Sequence, residues 1–162
     1  GGPQAGILLG DQTNVDPMAR HPMARAFRMD KLGLGALEHI LSSCVAGRFH
    51  EIPVWRMLNT TVEDLRQRCM DLQNALGDVP ADVAVETTRD AVGGGSHPGE
   101  TIEGLAVTIR PHNTPLDQLS RDLRTGEPSI VGTLHDDRLW LHLRTVEPCD
   151  DTALATALTA AL

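Results

Sequence analysis

From Asp30 to Ala46 the apolar residues Leu34, Leu37, Leu41, Cys44 and Val45 recur at helical spacing, and Gly47 predicts the C-terminal stop. Gly33 and Gly35 interrupt this stretch at about 1 kcal/mol each relative to Ala, which points to a close approach by another backbone or a ligand. A second helix is predicted after the capping box Thr60-Thr61-Val62-Glu63, with Val62, Leu65, Cys69, Leu72 and Leu76 as its apolar stripe and Gly77 as its end. The period then changes to two. Val83 and Val85, and later Leu105, Val107 and Ile109, alternate with polar neighbours and predict half-buried strands. The glycine-rich stretch Gly93 to Gly99 between them predicts a loop. Thr114 is the expected cap of a short helix with Pro115 at its first position, Leu116, Leu119 and Leu123 inward, and an end near Gly126. Ile130 and Val131 lead into a hairpin turning at His135-Asp136-Asp137-Arg138, which returns through Leu139, Leu141 and Leu143 alternating with Trp140, His142 and Arg144. Asp150 or Asp151 caps a last helix carrying Leu154, Leu158 and Leu162. Near the start, residues 5 to 9 read as a short buried strand closed by Gly10.

From about Leu58 the order is helix, two strands, helix, two strands, helix. Hairpin-like connections and one-face alternation predict an α+β fold, an antiparallel sheet covered by helices. Residues 58–162 are expected to form that domain. Residues 1–57 fit it poorly and read as the end of a preceding domain plus a connecting helix. The chain opens on Gly1-Gly2-Pro3 and enters an apolar run at Ile7, as if in mid-domain.

At 162 residues, 41% of them hydrophobic and 22% charged, the chain can bury a core without disulfide staples. Its aromatic residues are Trp55, Trp140, Phe27 and Phe49, so that core must be aliphatic. A net charge of −8 argues against a whole surface that tracks a phosphate backbone. Any RNA contact would use a local patch, and the densest runs from Arg20 to Lys31, where Arg20, Arg25, Arg28 and Lys31 face Asp30 alone. Cys44, Cys69 and Cys149 are odd in number and far apart, which suits a reducing, cytoplasmic setting. No apolar run approaches the roughly 20 residues of a membrane span, and no signal peptide is evident.

Arg25 and Arg28 are three apart, so on a helix they share a face and can present two planar forks to one phosphate-like anion. The plainer reading of the spacing is two solvent-exposed arginines. The Gly93 to Gly95 stretch lacks the pattern of a phosphate-binding loop and reads as a flexible connection. The seven histidines show no metal-ligand spacing, so no metal site is expected, and His39 and His97 read as surface residues.

Four stretches resemble bacterial selenocysteine synthases: Gly1 to Gly6, His21 to Lys31, Gly93-Gly94-Gly95-Ser96, and the tail from Gly126-Glu127-Pro128 through Val131-Gly132 and Asp136 to Leu139, ending at Leu143 to Val146. The resemblance covers the chain from end to end. It implies the C-terminal portion of a fold-type-I pyridoxal-phosphate enzyme that converts seryl-tRNA(Sec) to selenocysteinyl-tRNA(Sec), with selenophosphate as donor, in a cytoplasmic homo-oligomer. It further implies that residues 1 to about 12 finish the large cofactor-binding domain, that the helix after Asp30 is the connector, and that the small domain follows. The Schiff-base lysine would lie just upstream of Gly1, so this segment alone is expected to be inactive. Arg25 and Arg28 fall at positions the family uses for the selenium donor. Two other readings stay open: a related pyridoxal-phosphate lyase acting on a phosphorylated sugar acid, and a non-catalytic interaction domain.

Overall fold

Asp30 begins the longest helix of the N-terminal unit by accepting the Leu32 and Gly33 N–H groups on Oδ1 at 2.8 and 2.9 Å. These bonds, Gly33's foremost, hold its carboxyl below the ordinary value. The computed structural model describes residues 2–92 and 99–162, and the chain forms two units, one running to Arg56 and one from Met57 to Leu162. Gly1 and the stretch from Gly93 to Pro98, with its predicted loop and His97, lie outside the described residues.

The first unit contains α1 (Gln12–Arg20), α2 (Pro22–Ala26) and α3 (Lys31–Val45); α4 (Pro53–Asn59) continues across Arg56. His21 closes α1 and opens α2, its Nδ1 accepting the Met23 N–H at 3.2 Å. Gly47 follows α3 at φ +71°, a left-handed position that suits glycine. Among the described residues no other backbone approaches Gly33 or Gly35: a Cβ at Gly33 would meet the Met29 side chain, and one at Gly35 would meet nothing within 4 Å. The strand expected at residues 5 to 9 does not form. Ile7, Leu8 and Leu9 are exposed, and no described strand pairs with them. An apolar run becomes a strand only where a ladder partner takes up its backbone groups.

The second unit follows the predicted order: α5 (Val62–Leu76), β1 (Ala81–Ala91), β2 (Thr101–Pro111), α6 (Leu116–Thr125), β3 (Thr133–His135), β4 (Arg138–Leu141) and α7 (Asp151–Ala161). The strands form one antiparallel sheet in the order β1-β2-β4-β3. Leu65, Cys69, Leu72 and Leu76 of α5, Leu119 and Leu123 of α6, and Leu154 and Leu158 of α7 pack with Leu105, Val107, Ile109, Leu139 and Leu141 into an aliphatic core. α5 and α6 lie against one face of the sheet, and α7 packs on α5 and α6.

Three local expectations shift. The cap of α5 is Thr61 rather than Thr60, with its Oγ1 accepting the Asp64 N–H at 3.1 Å and donating to Oδ2 of Asp64 at 2.6 Å. Helix α6 starts at Leu116 behind Pro115, and Thr114 does not cap it. Strand β2 is not half-buried: residues 104 to 109 are buried without interruption. Its second face carries Gly104, Ala106 and Thr108, small enough to be covered by their longer neighbours.

Cys69 is fully buried in the core, and burial pushes its thiol up to about 11. Exposed Cys149 should therefore alkylate first in the folded chain, with Cys69 labelled only on unfolding. The folded state keeps a proton that the unfolded chain releases above the ordinary value of 9.0, so this contribution to stability should fall as pH rises from 9.0 towards 11. Mass spectrometry after brief labelling, and thermal melts across that range, check both.

Candidate functional site

On the sheet face away from the helices, side chains of β1 reach over β2 to partners on and after β4. Glu86 lies opposite Ala106 and accepts from Arg138 at 3.0 Å, so this pair bridges β2 across an alanine. Both partners are more than a third exposed, so the bridge contributes little. One step along, Asp90 meets His142 and Arg144 beside Gly104. A Cβ on Gly104 would collide with the Asp90 carboxylate and the Thr88 hydroxyl, so only glycine leaves this crossing open.

Arg144 is the hub of the crossing, with only 7% of the residue exposed. Its Nε donates to Asp90 Oδ2 at 3.0 Å. Nη1 donates to the Met57 and Thr60 carbonyls at 3.0 and 2.8 Å, and Nη2 to the Glu103 carbonyl at 2.6 Å. Asp90 Oδ1 accepts from the Thr88 hydroxyl at 2.7 Å and lies 3.1 Å from His142 Nδ1. Burial works to raise the Asp90 pKa, but the bonds from Thr88, Arg144 and His142 outweigh it and hold the carboxyl below the ordinary range.

A second arginine does similar work on the core side. Arg68 of α5 grips Asp151 with two bonds of 2.9 and 2.6 Å and donates to the carbonyls of Leu143 and Val146. The Asp151 carboxylate raises the Arg68 pKa above its ordinary value. Together the two arginines fix the irregular chain after β4 and the start of α7. Beside them opens a cleft of about 710 Å³, lined by Arg89, Asp90, Trp140 and His142 on one side and by Ile130, Val146 and Leu154 among its apolar walls. The chemistry of this cluster is positional, because each charged group of the hub already has its partner.

The arginines singled out from the sequence lie elsewhere. Arg25 is on α2, a five-residue helix, while Arg28 lies beyond its end at Phe27, so the two do not share a helix face. The helix stops there because Asp30 must be extended to cap α3. The two remain within one turn of chain, with the Arg28 N–H donating to the Arg25 carbonyl at 3.4 Å. Both are exposed, and among the described residues no carboxylate pairs with either. Arg20, in contrast, is paired with Asp16. Lys31 and His39 are exposed on α3. Among the described residues no group of three or more His, Cys, Asp or Glu side chains is placed to hold a metal, and no helix is long and apolar enough to cross a membrane.

Sequence reasoning missed the Asp90–Arg144 hub. A signal was present: small residues at Gly104, Ala106 and Thr108, with acids at Glu86 and Asp90 on one side and bases at Arg138, His142 and Arg144 on the other.

The chain thus combines an α+β unit, cross-tied by Arg144 and Arg68, with a helical unit in which, among the described residues, no carboxylate pairs with Arg25 or Arg28. The family model for L-seryl-tRNA selenium transferase (SelA) matches residues 1–147, and the chain belongs to that family. It is 34% identical to the L-seryl-tRNA(Sec) selenium transferase of Carboxydothermus hydrogenoformans, over 90% of this chain and 32% of that protein. With the same-named protein of Aquifex aeolicus the identity is 39%, over 90% of this chain and 32% of the relative. With that of Moorella thermoacetica it is 40%, over 100% of this chain and 36% of the relative. The chain spans about a third of the length of these relatives.

Proposed function

We propose that this chain is a segment of a pyridoxal-phosphate enzyme that converts seryl-tRNA(Sec) to selenocysteinyl-tRNA(Sec). The observation that carries this reading is the family match over residues 1–147. In the net reaction the seryl hydroxyl is exchanged for a selenol; selenophosphate supplies the selenium and its phosphoryl group leaves as phosphate. Residues from about 58 serve as the small domain of a fold-type-I enzyme, and residues 1–57 as the end of the large domain and the connecting helix. The whole works as a cytoplasmic homo-oligomer.

Pyridoxal phosphate supplies an electron sink when bound. Its anchoring needs a lysine amine, ordinarily one activated by its surroundings. The residues here do not fit that requirement: Lys31 is the only lysine, and it stands exposed at the first position of α3. We assign the cofactor to the remainder of the protein and give this segment the task of holding the donor.

Arg25 and Arg28 are suited to that task. Exposed and, among the described residues, without a carboxylate partner, they offer two charged forks to a selenophosphate or the departing phosphate. In the complete protein, Arg25→Ala or Arg28→Ala should slow selenium transfer about 10- to 100-fold, since a hydrogen bond to a charged group contributes roughly 1.5–3 kcal/mol. Water loss from seryl-tRNA should continue, and the melting temperature should hardly move. Lysine at either position should rescue in part, because an ammonium is a point charge and not a fork. Normal donor dependence in both alanine variants, with its loss on changing Arg20 or Lys31, would show that the anion site is elsewhere.

A further inference from the structure

The segment that carries Arg25 and Arg28 also exposes apolar side chains that charge alone does not explain. Phe27 is 78% exposed, one of only four Phe or Trp residues in the chain, and Met18 and Met23 are 48% and 52% exposed nearby in sequence. The backbone on both sides of the ring is tied to α2, because the Phe27 N–H donates to the Met23 carbonyl at 3.2 Å and the Arg28 N–H to the Arg25 carbonyl at 3.4 Å. Lys31 follows four residues later. The adjacent Asp30 carboxylate accepts from the Leu32 and Gly33 N–H groups, and among the described residues Lys31 has no acidic partner. A planar ring flanked in sequence by two arginines that pair with no carboxylate among the described residues, with a lysine just beyond, is a combination suited to single-stranded nucleic acid. Cations follow the phosphates, and the ring offers its face to an unstacked base.

The reaction chemistry says which end of the RNA must come here. The serine is esterified to the 3′-terminal ribose, only a few covalent bonds from the carbon that receives selenium. Whatever holds the selenium donor therefore lies beside the terminal nucleotide. That nucleotide is unpaired, so its base is free to leave the stack and lie on an aromatic ring. We propose that Phe27 is a stacking platform for the base of the 3′-terminal nucleotide of tRNA(Sec), with Lys31 holding a backbone phosphate beside the anion site of Arg25 and Arg28. This rests on the donor reading for its location and goes beyond it in naming the RNA end and the residues that grip it.

The test compares uncharged tRNA(Sec) with the same RNA trimmed of its terminal nucleotide, both titrated onto the complete protein. Trimming should weaken binding to the unaltered protein about tenfold or more, the loss of one stacked base. Phe27→Leu keeps an apolar side chain of similar bulk and so guards against misfolding. It should bind intact RNA about tenfold more weakly and show no further loss on trimming, whereas Phe27→Trp should keep the full trimming effect. Lys31→Ala should lower the salt dependence of binding by about one phosphate contact. An equal trimming loss in the Phe27→Leu and unaltered proteins would overturn the proposal. The donor dependence of Arg25→Ala is read separately. Its loss beside an unchanged trimming response in Phe27→Leu would sink the stacking site while leaving the donor site standing.

Discussion

Replacing Arg144 by alanine should lower the unfolding free energy by about 3–5 kcal/mol, the usual consequence of removing one partner of a buried ion pair. The loss is large because four acceptors are abandoned together: the Asp90 carboxylate and the carbonyls of Met57, Thr60 and Glu103. Water reaches them poorly, since the Asp90 side chain is 11% exposed. Arg144→Lys should recover only a fraction, as one ammonium cannot span acceptors on β1, on β2 and at the entry to α5. Asp90 adds a pH signature. Its pKa is depressed in the folded state, so its contribution is complete above the ordinary carboxylate value of 3.8 and is lost as pH falls through the lower folded value. Urea denaturation of the 162-residue chain and its variants, at neutral pH and in acid, measures both effects. A shift under about 1 kcal/mol for Arg144→Ala, the ordinary result of a surface change, would mean that the hub is not closed in solution.

Leu105→Ala should cost about 2–5 kcal/mol by the same measurement. Leu105 is 1% exposed on β2, the strand flanked by β1 on one side and β4 on the other, and it lies in the core with the stripes of α5, α6 and α7. Truncation opens a cavity where neighbours from several elements meet, and a sheet cannot slide inwards to fill it without breaking its ladder. Leu105→Met, which nearly conserves volume, should cost less than about 1.5 kcal/mol. The contrast separates loss of packing from loss of strand propensity. Similar losses in both variants would show that the site does not tolerate any change of shape.

The core was legible because its signal is local. Leu65, Cys69, Leu72 and Leu76 announce a helix face by spacing alone, and all four are buried. Leu139, Leu141 and Leu143 likewise announce an inward face, and the turn before them has Asp136 and Asp137 both at positive φ, as a tight hairpin requires. The same alternation assigned Arg144 to the outward, polar set. It is buried none the less, because partners from residues 57, 60, 90 and 103 converge on it from distant parts of the chain. No local pattern reports such a meeting. Arg25 and Arg28 were picked out for chemistry that their exposure suits, but not for the shared helix face that their spacing suggested, since the neighbouring Asp30 claims the turn for α3. Residues 5 to 9 read as a strand from composition, and composition carries no information about pairing.

Among the described residues, β1 and β3 form the two edges of the sheet, and both are poorly suited to pairing with a second copy. β3 is three residues long and ends at the acidic pair Asp136-Asp137, which deprives an approaching strand of both length and matching charge. β1 is eleven residues long, but it carries Asp82, Glu86, Arg89 and Asp90, and the Gln73 side chain of α5 already donates to the Val83 carbonyl at 2.8 Å. At a net charge of −8, neither edge offers a template for strand-by-strand zipping into fibrils. Two copies of this chain should therefore not join β1 to β1 or β3 to β3, so any pairing of copies that does occur is expected to leave these strand edges unjoined.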